Sequence, residues 1–189
     1  MKEKIVQQSI LLFEKYGFSQ TSIQDIVDAL SVTKGTFYYY FNSKEELLMK
    51  IHLQYIEQLL KKQEKIMENP SLTHKEKISG IVELLITDIG EKGPSARVFF
   101  REIRHLKGEN SSEIKEMRKQ FRLKIEEIVR LGVEAGEFRD GLQIEMTAFG
   151  ILGVTNWSYQ WYDPSKQISD KQLADIFVDM ILHGIEKKV

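Results

Sequence analysis

The apolar positions of this chain follow a helical period from end to end. Ile5, Ile10, Leu11 and Phe13 share one side of a first helix over about residues 2–16, which Gly17 stops. Ile23, Ile26, Val27 and Leu30 mark a short second helix, and Val32, Phe37 and Phe41 supply the apolar contacts of a third that runs to about residue 40. A long helix over about residues 43–68 carries Leu47, Leu48, Ile51, Ile56 and Leu59 on a broad face and ends before Asn69 and Pro70. The next, over 74–89, is apolar around much of its circumference at Ile78, Ile81, Val82, Leu85 and Ile86, the pattern of a buried helix, with Gly90, Gly93 and Pro94 as its stop. SARVFFREIRHLKG forms another and stops at Gly108. Three more follow over about 112–135, 143–161 and 169–187, the first closed by Gly136. No stretch alternates apolar with polar, so the expected fold is all-α with about nine helices.

Punctuation is densest between residues 21 and 48. Thr21 with Gln24, and Ser43 with Glu46, have the spacing of capping boxes, and Thr33 can cap the short helix between them after a turn at Ser31 and Val32. Two short helices joined by a turn, braced by the first helix, make a helix-turn-helix unit over residues 1–46, and residues 47–189 are expected to form a second helical domain. With Phe37 and Phe41 turned inward, the third helix is left with Thr33, Lys34, Gly35, Thr36, Tyr38, Tyr39 and Tyr40 on its outer side. Small, hydroxylated, cationic and aromatic side chains on one exposed helix suit a DNA major groove, where the leading residues meet base edges and tyrosine hydroxyls meet phosphates. Gly35 costs roughly 1 kcal/mol relative to Ala inside a helix, which makes sense where a partner must approach the backbone closely. The tyrosine run also suits packing at a joint with the following helix.

The segment VTKGTFYYYFNSKEEL, with Phe13, Gly17, Phe18, Thr21, Ile26 and Leu30 in register, resembles the signature of the TetR family of one-component bacterial transcriptional regulators. The resemblance covers roughly the first fifty residues and implies a homodimer on a near-palindromic double-stranded DNA operator. It places DNA contacts at Thr33, Lys34, Gly35, Thr36, Tyr38 and Tyr39, with Thr21 and Ser22 at the start of the supporting helix and Lys44 as a phosphate contact at the next helix start. Ser31 departs from the glycine that the family commonly has in the turn, and serine can take that conformation at modest cost.

Composition narrows the setting. The chain has 189 residues, 42% of them hydrophobic, which suffices for one or two small cores. Cysteine is absent, so disulfides and thiolate chemistry are excluded. The amphipathic start MKEKIVQQSILLFEKYG does not read as a signal peptide, no apolar run has the ~18 residues of a membrane span, and a cytoplasmic protein with no membrane partner is expected. Net charge is −1. Within the first fifty residues Lys2, Lys4, Lys15, Lys34, Lys44 and Lys50 balance Glu3, Glu14, Asp25, Asp28, Glu45 and Glu46, so DNA affinity must come from a few placed contacts, doubled in a dimer, rather than from a general basic field.

The last two helices hold more apolar surface than one partner helix covers, and Gly150 and Gly153 would let another backbone pass close. Gly150, Val154, Tyr159, Phe177, Met180 and Ile181 are therefore expected at a four-helix dimer interface, together with Ile185. TNWSYQWYDP, VFFREIRHL and EEIVRLGVEAGEFRDGL are similar to the regulatory domains of TetR-family members that sense acyl-coenzyme A thioesters. That likeness implies an apolar tunnel, for which Leu85, Phe99, Phe100, Ile103, Ile128, Phe149, Leu152 and Trp157 are suitable, with Arg97, Arg101 or Arg104 for coenzyme phosphates. A flat hydrophobic drug would need the same apolar pocket without the arginines. An enzyme is not expected. Glu102 and His105 have the Glu-x-x-His spacing of carboxylate di-iron bundles, but no other histidine has Glu three residues before it, so half the ligands of such a site are missing. No cofactor is implied.

Overall fold

Helix punctuation decides where the elements of the computed structural model begin and end; residues 1–165 and 168–184 are described. Among these there are nine α-helices and no strand. Helix α1 (Lys2–Tyr16) closes on Gly17, whose φ of 83° is open to glycine and strained for other residues. Helix α2 (Ile23–Ala29) starts one residue later than the expected cap. Ser22, not Thr21, is the N-cap, and its box partner is Asp25, not Gln24: the Asp25 amide donates to Ser22 Oγ and the Ser22 amide donates to Asp25 Oδ2 at 2.7 Å. Ser31 takes the turn with φ 53°. Helix α3 (Lys34–Tyr40) is capped by Thr33 as expected. At the start of α4 (Lys44–Met67) the Glu46 amide donates to Ser43 Oγ, while the Glu46 carboxylate accepts from Asn42, so only half of the expected box forms.

Helix α5 (His74–Glu91) runs through Gly90 rather than stopping at it. A Cβ there would meet the Asp170 carboxylate, which would have to move aside. Helix α6 (Gly93–Arg101) passes into a 3-10 turn (Glu102–His105), and α7 (Gly108–Glu134) starts at Gly108, φ 57°, rather than being preceded by a stop there. Helix α8 (Ile144–Asn156) also tightens into a 3-10 turn (Trp157–Gln160), and α9 (Asp170–His183) begins with a Ser169–Gln172 capping box. The expected extension to 187, with Ile185, lies outside the described residues.

The chain packs as two compact units, Met1–Gln58 with Lys92–Glu116, and Leu59–Glu91 with Met117–Val189, a division that passes through α4 and α7. In the first unit Ile5, Phe13, Ile26, Phe37, Phe41, Leu47 and Leu48 are all but inaccessible. Leu11, expected to face inward, is 51% exposed; Val6 and Ser9 take its place in the core. Helix α6 joins this unit through the Phe99 ring, 4.6 Å from Tyr55 and 5.4 Å from His52, and through Arg97, whose Nε donates to Glu14 Oε1 of α1 at 2.7 Å. In the second unit α9 lies along α5, with Ile81, Val82, Ile86, Ile125, Ile128, Leu173 and Ala174 buried.

Candidate functional site

The α3 surface is built by its cap and its two buried rings. Phe37 (0% exposed) and Phe41 (2%) fix which side of the helix faces inward. Thr33, Lys34 and Gly35 are exposed, Thr36 and Tyr40 half-buried, and Tyr38 and Tyr39 are 52% and 81% exposed. Lys34 makes no ion pair among the described residues. Gly35 is the informative position. A Cβ there would meet only Thr33 Oγ1, at 3.5 Å, so no side-chain clash inside the chain asks for glycine in the first turn of this short helix. Tyr40 packs edge-on against Tyr39, centroids 4.8 Å apart, and the tyrosine run divides by exposure: Tyr38 and Tyr39 point out while Tyr40 is half-buried.

Beside α3, Ser22 presents an exposed helix N-terminus. Hydrogen bonds from the Ser22 backbone and hydroxyl hold the Asp25 carboxyl below the usual aspartate range. Two expected DNA contacts are placed otherwise. Thr21 is 2% exposed and its hydroxyl donates inward to the Gly17 carbonyl at 2.9 Å, because a side chain just before an N-cap can close the preceding loop instead of facing out. Lys44 Nζ donates to the carbonyls of Phe18 (2.7 Å) and Thr21 (2.6 Å) and lies 4.3 Å from the Phe18 ring centroid. Burial pushes its ammonium down from the ordinary lysine value. The lysine ties the α1–α2 loop to α4, so its charge is already engaged. The His105 ring also packs on Phe18, centroids 5.3 Å apart, and its Nε2 lies 3.3 Å from Glu102 Oε2. Among the described residues no three His, Asp or Glu side chains are grouped to hold a metal ion.

The eleven residues assigned to an effector fall in both units. In the first, Phe99 is buried, Phe100, Arg101 and Ile103 are half-buried, Arg97 is engaged by Glu14, and the exposed Arg104 donates to His105 Nε2 at 3.3 Å. In the second, Leu85 and Ile128 are core residues and Leu152 is half-buried. Phe149 and Trp157 are 49% and 62% exposed, which is the reverse of pocket lining. They share the outer face of α8 with Met146, Gly150 and Gly153, and a Cβ on either glycine would meet nothing within 4 Å. Val154, Tyr159, Phe177, Met180 and Ile181 are half-buried, and Ile176 of α9 is 54% exposed. Arg118 is a residue that the sequence pattern does not single out. Burial lowers its pKa, Tyr159 opposes that shift, and the residue sits on the stripe of Ile114, Phe121 and Ile125, where a cation at apolar spacing was the available signal.

A cleft of ≈ 240 Å³ opens in the second unit between α5, α7, α8 and α9, lined in part by Val129, Leu142, Ile151 and Ile181. None of the eleven effector residues lines it, whereas Ile181, expected at the dimer interface, does.

Residues 5–51 match the family model for bacterial regulatory proteins of the tetR family, and residues 71–185 match that for the tetracyclin repressor-like C-terminal domain. The HTH-type transcriptional repressor KstR2 of Rhodococcus jostii RHA1 is 24% identical, over 97% of this chain and 90% of that protein. Among solved structures, the TetR family regulator PfmR of Thermus thermophilus is similar with a TM-score of 0.90 at 29% identity, covering 97% of this chain and 99% of that one. FadR of Bacillus subtilis, in complex with stearoyl-CoA, has a TM-score of 0.82 at 21% identity, covering 98% and 100%, a likeness of fold.

Proposed function

The chain belongs to the TetR family of transcriptional regulators, and from that premise we propose that it is a homodimeric repressor whose α3 helices read a near-palindromic operator and which a hydrophobic effector, a long-chain acyl-CoA, releases. The observation that carries the reading half is Gly35. Gly35 lies in the first turn of α3 on the exposed face of Thr33, Lys34, Thr36, Tyr38 and Tyr39, and the open space beside it lets an outside partner approach the backbone. Pairing through α8 is supported by its open glycines between exposed Met146, Phe149 and Trp157, an apolar face that a second copy would cover.

The acyl-CoA part is supported by the sequence likeness of the C-terminal half and by the stearoyl-CoA bound to FadR. A neutral hydrophobic effector is the second reading, favoured by one observation: Arg97 and Arg104 already have partners within the chain. In either case release requires the effector to prefer the non-binding arrangement, with a coupling typically of about 1–3 kcal/mol, or 5–150-fold in operator affinity. Fluorescence anisotropy with the protein's own promoter fragment tests both parts. Stearoyl-CoA should lower affinity within that range while coenzyme A alone does not. No response to any acyl thioester, with release by a neutral lipophile, would establish the second reading instead.

A further inference from the structure

The cleft of the second unit has a use that the effector reading does not supply. Its floor is aliphatic, from Val129, Leu142, Ile151 and Ile181, while Lys75 and Arg139 stand at its edge. The acidic residue of the lining, Glu137, is consumed by the fold. Its Oε1 accepts from the His74 amide at 3.2 Å and lies 2.6 Å from His74 Nδ1, and its Oε2 accepts from the Lys75 amide at 3.0 Å. The carboxylate thus caps the N-terminus of α5 and keeps its charge, so the lining sets one anion against two cations, Lys75 and Arg139, neither of which has a side-chain partner among the described residues. His183, also in the lining, is held by Asp179 at 2.8 Å. The edge is therefore net positive above an apolar floor.

One wall is fixed in advance. Gly136 (φ 69°) turns the chain after α7, and the amides of Glu137 and Phe138 both donate to the Gly132 carbonyl, at 2.8 and 3.1 Å. The Phe138 ring then occupies the space a Cβ on Gly132 would take, so the loop has one seat on the helix. At ≈ 240 Å³ the cleft is smaller than the roughly 300–1,000 Å³ of drug-sized sites. A complete coenzyme A thioester is too large for it.

We propose that this cleft binds a small amphiphilic monocarboxylate, its carboxylate between Lys75 and Arg139 and its short apolar body on Val129, Leu142, Ile151 and Ile181. The site is separate from the acyl-CoA reading and does not depend on it. Charge selects the anion, since an equally apolar cation would meet Lys75 and Arg139 with repulsion.

Calorimetric titration of the full-length protein with sodium octanoate, and with octylammonium as the control of opposite charge, tests the assignment. Octanoate should bind saturably at one site per protomer and octylammonium should not. Arg139→Ala and Lys75→Ala, both at exposed positions, should each weaken octanoate by at least roughly tenfold, the scale of one charge-assisted contact. Ile151→Trp, which fills the floor, should abolish binding; should that variant misfold, the two surface variants still decide. Absence of saturable octanoate binding, equal binding of octylammonium, or octanoate binding indifferent to both cations would each overturn the proposal. Operator release by stearoyl-CoA should survive Arg139→Ala; if it is lost together with octanoate binding, there is one site and the claim of a separate one fails.

Discussion

At Gly35 the interests of the fold and of the DNA face are opposed. Alanine would favour the α3 helix by at most roughly 1 kcal/mol, the value for a helix interior, and the chain has room for its methyl group. Gly35→Ala should therefore leave the melting temperature unchanged or raised while reducing operator affinity at least tenfold; equal operator affinity would remove the close-approach role. Asp25 links the same surface to pH. Its folded pKa lies below the ordinary 3.8, so the stability it contributes is fully present above that value and is lost as pH falls through the lower, folded one. Glu76, which accepts from Thr73 at the start of α5, shifts in the same direction. Melting curves of wild type and Asp25→Asn, compared between about pH 3 and pH 7, should converge at the acid end.

Among the elements, α3 and α4 separate the two lysines that the sequence treated alike. Lys34 stands free on the outer face, whereas Lys44 bonds two carbonyls of the α1–α2 loop. Lys34→Ala should lower the slope of log affinity against log salt by about 1 per half-site. Lys44→Ala should leave that slope unchanged and instead cost stability, roughly 1–3 kcal/mol for two carbonyls that lose their donor, measured by denaturant unfolding. The contrast shows what was legible in the chain. Periodicity and caps gave the first five helices to within about two residues, since Thr33 and Gly17 act locally, whereas α6, α7 and α8 differ more at their ends. Even the boxes it left unused, Thr73 with Glu76 and Ser169 with Gln172, were written as side chains three apart. Tertiary partners have no such signal. That Lys44 reaches back to Phe18, that Arg97 finds Glu14, and that Phe149 and Trp157 face outward depend on neighbours distant in sequence.

For the whole molecule, the outer face of α8 is the place to separate pairing from folding. Phe149→Asp adds a charge at a half-exposed ring, so the helical circular-dichroism signal should be retained while sedimentation shifts from dimer to monomer and operator binding falls with it. A variant that stays dimeric would move the interface elsewhere. The make-up of the first unit bears on how the chain comes to be folded at all. Its residues are not contiguous: α6, with Phe99 against Tyr55 and Arg97 against Glu14, returns to helices synthesised long before it. On a ribosome adding about 5–20 residues each second, the DNA-reading half waits several seconds for its missing piece, and through that interval the first 58 residues keep open the surface that residues 92–116 will close. A nascent chain halted with residue 58 just clear of the exit tunnel should be cut by protease within α1 and the emerged part of α4, and one halted with residue 116 clear of it should resist.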